Sequence, residues 1–178
     1  LDIDSCMQVL LDFQQDHQDH QICAIFKHTT PNGIAVDFES QLEATKHAFS
    51  CDPLSAFGGI WGFNHPLTEE VADYIINDQK VFVEVLLAPE FEAGALDILK
   101  TKENMRIIQF NDLLSKREEL YCNPELRSVL GGVLLQEYDS KPIIKEWKLT
   151  TERSVDDREK EALIFAYRAC KWAKSNSR

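Results

Sequence analysis

Short apolar runs of strand-forming residues alternate with amphipathic stretches of helical length, and this alternation constrains the fold more than any other feature of the sequence. Ile22–Phe26, Ile60–Phe63, Val81–Ala88 and Met105–Phe110 are each of strand length and rich in β-branched or aromatic residues. Between them, 4–17, 39–50, 68–77 and 89–100 read as helices, with apolar positions spaced to share one face and Thr68 placed to cap its own. This predicts an α/β layered fold around a mostly parallel or mixed sheet. Further on, 113–120 reads as a helix and 126–136 as a strand interrupted at Gly131-Gly132 by a bulge or a close backbone approach. A last helix over 155–174 is opened by Ser154 and Asp157.

Composition narrows what such a fold could do. With 178 residues, of which 44% are hydrophobic and 28% charged, the chain can bury one core, and no apolar run is long enough to cross a bilayer. One domain, outside the membrane and cytoplasmic, is expected. Thirty acidic against nineteen basic residues give a net charge of −11, which argues against nucleic-acid binding but leaves room for one phosphate held locally. The five cysteines are dispersed and odd in number, as reduced thiols would be. They form no zinc pattern with His17, His20, His28, His47 or His65, so no metal is predicted. The missing initiator methionine, and a helix running almost to Arg178, read as a piece of a longer chain.

Three places could carry chemistry. Lys27-His28 ends the first apolar run just before Pro31-Asn32-Gly33, a tight-turn signal, so the pair is expected at the carboxyl end of a buried strand, where α/β sheets bind ligands. An imidazole can take or give a proton there, and the neighbouring ammonium can stabilise negative charge; a solvated strand end is the plainer alternative. Ser55-Ala56-Phe57-Gly58-Gly59 offers two glycines for close ligand approach and an aromatic ring for stacking, or is merely a helix-to-strand turn with Phe57 in the core. Glu84 interrupts an apolar strand: either it binds a ligand, or it shares a partly solvated face with Phe82 and Leu86. Neither a P-loop nor a dinucleotide fingerprint is present.

In fixed order, several stretches resemble the transformylase domain of the bifunctional purine-synthesis enzymes, which joins AICAR formyltransferase to IMP cyclohydrolase. Lys27-His28-Thr29-Thr30-Pro31-Asn32-Gly33 resembles the family's KHTNPCG, and residues 51–59 resemble CDPVSAFGG nearly throughout. Residues 82–89 are similar to FVEVVIAP, 127–136 to RSVSGGLLVQ, and 174–176 to KSN. Thr30 and Asn32 depart from the signature and put details of its turn in doubt.

The resemblance implies transfer of a formyl group from 10-formyltetrahydrofolate to the 5-amino group of AICAR. His28 would accept the amine proton and Lys27 would stabilise the oxyanion or assist departure of tetrahydrofolate, while Phe57, Gly58, Glu84 and Asn176 would meet substrate. It further implies a cytidine deaminase-like mixed sheet without zinc and a homodimer in the complete protein. Residues 1–178 would form a single partial domain, the first of two such subdomains. An Arg-Tyr pair before this segment and a GIGxGQxSR segment after it would be absent, so the isolated piece is expected to be inactive. A truncated, non-catalytic paralogue that binds nucleotide or associates with other chains is the alternative.

Overall fold

A computed structural model describes residues 1–139 and 148–174, which fall into two compact units divided between Ser115 and Lys116. The first unit begins with α1 (Asp2–Phe13), β1 (Gln21–Lys27), β2 (Thr30–Asp37), α2 (Gln41–Cys51), α3 (Pro53–Ala56) and β3 (Gly59–Phe63). It continues with α4 (Glu69–Asp73), a π-helical turn at Tyr74–Asp78, β4 (Val83–Ala88), α5 (Ala93–Leu99) and β5 (Arg106–Gln109). Its strands form one mixed sheet in the order β2-β1-β3-β4-β5. β1 runs antiparallel to both β2 and β3, whereas β3, β4 and β5 are parallel.

Helices cover both faces of this sheet, which is why its central strands are apolar almost without interruption. On one face Cys23, Ile25, Trp61, Phe63, Leu86 and Ala88 pack with Ala44 and Ala48 of α2 and Val71 and Ala72 of α4. α1 takes the other face: the Cys6 thiol donates to the Ala24 carbonyl at 3.7 Å, and a Cβ on Gly62 would lie 2.5 Å from the same sulfur. The hydroxyls of Ser40 and Thr68 cap α2 and α4, accepting from the amides of Glu43 and Val71.

The expected turn at Pro31-Asn32-Gly33 is not where the chain reverses. Lys27 pairs with Thr30, so the reversal is a two-residue turn at His28-Thr29, and Pro31-Asn32-Gly33 lies within β2. The edge position of β2 allows this, since an edge proline need donate no ladder hydrogen bond. Asn32 is an extra residue in the ladder, skipped between the Phe26–Pro31 and Ile25–Gly33 pairs. Gly33 is needed for close approach rather than for a turn, because a Cβ there would collide with the Ala48 carbonyl oxygen of α2.

The second unit contains α6 (Arg117–Tyr121), β6 (Glu125–Val129), β7 (Gly132–Gln136) and α7 (Asp157–Trp172). The single strand expected over 126–136 is a hairpin of β6 and β7. Gly131, at φ +85°, makes the turn with Leu130 instead of a bulge. Asp156 and Glu159, not Ser154 and Asp157, form the capping box that opens α7.

Candidate functional site

Lys27 and His28 sit at the carboxyl end of β1, but the antiparallel course of β1 puts that end at the amino edge of the parallel strands. Phe26 pairs with Ile60 at the start of β3. The pair is thus outside the carboxyl end of β1, as expected of its position, but beside the amino ends of β3, β4 and β5.

At this edge the first two candidate stretches come together. The Lys27 ammonium donates to the Phe57 carbonyl at 2.7 Å, joining the end of β1 to the loop between α3 and β3. Gly58, at φ +68°, sends its amide to the Phe82 carbonyl at 2.7 Å, and a Cβ placed on it would lie 4.0 Å from Lys27 Nζ. Glycine thus serves twice, reaching a left-handed conformation and leaving the flank of the ammonium free of a side chain. A second tie across this edge runs from Nδ2 of the Asn32 side chain, which donates to the Ser55 carbonyl at 3.0 Å.

The loop owes its shape to Asp52. Its carboxylate caps α3, accepting from the Ser55 amide at 3.0 Å and the Ser55 hydroxyl at 2.6 Å. Those bonds hold the Asp52 carboxyl below the usual carboxylate range. Phe57 is not a core residue; it is 59% exposed, and its ring stands 5.7 Å from that of Phe82.

His28 is exposed and occupies the first position of the turn, at φ 56°, with Thr29 following at φ 58°. The amides of both residues point at Asp2 in the first turn of α1, reaching its two carboxylate oxygens at 3.0 and 3.1 Å.

Glu84 does not share a face with Leu86. Gly59 pairs with Val83 and Ile60 with Val85, so Glu84 is an extra residue in β4 that turns out of the alternation. Leu86 is fully buried, whereas the Glu84 side chain is half exposed and meets Arg106 at 3.3 Å. Asn176 lies outside the described residues.

A cavity of about 430 Å³ continues from Phe82 along the same edge, lined among others by Lys80, Val81, Lys102, Asn104 and Met105. Sequence reading missed it, because its residues come from two loops that only the parallel pairing of β4 with β5 brings side by side. Lys80 and Lys102 are exposed and make no ion pair among the described residues, leaving two cations free on an acidic chain. No cluster of three or more metal-ligating side chains occurs among the described residues.

In the second unit, Leu126, Val133 and Leu135 share one face of the β6–β7 hairpin and are largely exposed. Glu125, Arg127, Leu134 and Gln136 line the other.

A family model for the AICARFT/IMPCHase bienzyme matches residues 1–177. The bifunctional purine biosynthesis protein PurH of Petrotoga mobilis is 42% identical over 176 residues, covering 99% of this chain and 32% of that protein. The protein of the same description from Dictyostelium discoideum is 36% identical over 187 residues, with the same coverage of 99% and 32%. The PurH of Brachyspira hyodysenteriae is 35% identical over 176 residues. The chain therefore spans about a third of the length of these relatives, 32% in each case.

Proposed function

The chain belongs to the AICARFT/IMPCHase bienzyme family, and from that premise we propose that it carries the proton-handling centre for formyl transfer from 10-formyltetrahydrofolate to the 5-amino group of AICAR. The amine is a weak nucleophile, because its lone pair is delocalised into the imidazole ring and carboxamide, so catalysis must manage its proton. As the amine attacks the formyl carbon, His28 accepts that proton. Lys27 stabilises the tetrahedral oxyanion. The bond from the formyl carbon to N10 of the folate then breaks, and the proton passes to N10 as tetrahydrofolate leaves.

One observation carries this reading: Lys27 Nζ is fixed at 2.7 Å on the Phe57 carbonyl, with Gly58 beside it offering no side chain and His28 exposed on the next residue. Exposed Phe57 and Phe82 suit a flat heteroaromatic ligand. Glu84 would accept from substrate hydroxyls or amines, and Lys80 with Lys102 would meet the nucleotide phosphate in the adjoining cavity. Asn176 is carried in this role by resemblance alone. We extend the reading to the chain as the first of two deaminase-like subdomains, and to the complete protein as a cytoplasmic homodimer.

The test is formyl transfer by the complete protein, followed as release of tetrahydrofolate. Lys27→Ala and His28→Ala should each lower kcat by about a hundredfold or more, the range expected for removing a general base or an oxyanion donor. Near-normal turnover in either variant would sink the assignment.

A further inference from the structure

The turn that presents His28 is conformationally costly and is held from outside its own hairpin. A two-residue hairpin turn with both central residues at positive φ is normally built from Asn-Gly, Asp-Gly or Gly-Gly. Here the two positions are His28 at φ 56° and Thr29 at φ 58°. A β-branched residue in that region is a genuine outlier, and such strain persists only where the surroundings over-determine it. Asp2 provides that determination. One of its carboxylate oxygens accepts from the His28 amide at 3.0 Å and the other from the Thr29 amide at 3.1 Å.

The bidentate contact satisfies two amides that the β1–β2 ladder, which closes at Lys27–Thr30, leaves over, and charge-assisted bonds of this kind are stronger than neutral ones. Asp2 is itself well anchored. It sits in the first turn of α1, where a negative charge is favoured, and α1 is seated on the sheet through Cys6 against Ala24 and Gly62.

We infer that Asp2 is a positioning residue for His28: it holds the left-handed backbone of the His28-Thr29 turn and so fixes where the imidazole stands relative to Lys27. The inference rests on the proposed role of His28, and it adds a residue whose carboxylate meets the turn through the backbone amides of His28 and Thr29. A carboxylate serving only the helix terminus would need no partner in the turn, and its loss would weaken α1 without acting on His28.

The experiment uses the complete protein and the variants Asp2→Ala, Thr29→Gly and Asp2→Ala/Thr29→Gly. Glycine at position 29 adopts positive φ without strain, so it lets the turn form without the carboxylate. Asp2→Ala should lower kcat at least tenfold while KM for nucleotide and folate stays within twofold. Adding Thr29→Gly should bring kcat back to within threefold of wild type, and Thr29→Gly alone should leave turnover unchanged. Hydrogen exchange of peptides spanning 27–31, read by mass spectrometry, should quicken at least tenfold in Asp2→Ala.

Turnover of Asp2→Ala within twofold of wild type, unchanged exchange, or a loss that Thr29→Gly does not repair would overturn the inference. A complete protein that transfers no formyl group, or a His28→Ala variant that still does, would instead overturn the functional reading beneath it. Exchange at 27–31 then still decides whether Asp2 holds the turn.

Discussion

Side chains at the site edge are fixed mainly by bonds to backbone atoms. Lys27 binds the Phe57 carbonyl, Asn32 the Ser55 carbonyl, and Asp2 the amides of His28 and Thr29. Each of these contacts is therefore set by chain geometry more than by its neighbours' rotamers. Burial divides the cysteines into two groups. Burial in apolar surroundings pushes the thiols of Cys6 and Cys23 well above their ordinary value, because desolvation penalises the thiolate. Cys51, Cys122 and Cys170 are exposed. In the isolated chain near pH 8, a thiol reagent should modify those three in the native state and reach Cys6 and Cys23 only on unfolding. Peptide mapping that finds Cys6 or Cys23 among the fast-reacting positions would contradict this packing.

At the scale of elements, two irregularities shape the edge that carries Lys27 and His28. Extra residues at Asn32 in β2 and Glu84 in β4 each break the two-residue alternation, one reaching Ser55 of α3 and the other turning a carboxylate out of an apolar strand. Such departures cannot be read from hydropathy, because they follow from how two strands pair and not from either strand alone. Gly33 ties β2 to α2 through the contact its missing Cβ permits with the Ala48 carbonyl. Since the obstacle is backbone, repacking side chains cannot relieve it. Gly33→Ala should cost about 1 to 3 kcal/mol, the range for overpacking a closed site. Denaturant unfolding checks this, and an unchanged midpoint would mean that α2 does not lie where the structure places it.

For the whole molecule, the relatives described above are about three times as long as this chain, which covers 32% of each. Under the proposed function, formyl transfer should be undetectable in the isolated chain and present in the complete protein. Measurable turnover by the purified chain of 178 residues would show that it needs nothing further. By itself the sequence determined the layered α/β class and the positions of most strands and helices, and it marked the Lys27-His28, Phe57-Gly58 and Glu84 stretches as candidates. Hydropathy period, capping residues and local motif order are all short-range signals. Tertiary structure decided what depends on pairing. The antiparallel course of β1 sets Lys27 and His28 at the amino edge of β3, β4 and β5, and the edge position of β2 moves the turn from Pro31-Asn32-Gly33 to His28-Thr29. Strand order and register arise from contacts between residues distant in sequence, and that is why Asp2, Lys80 and Lys102 joined the candidate site only once the chain was folded.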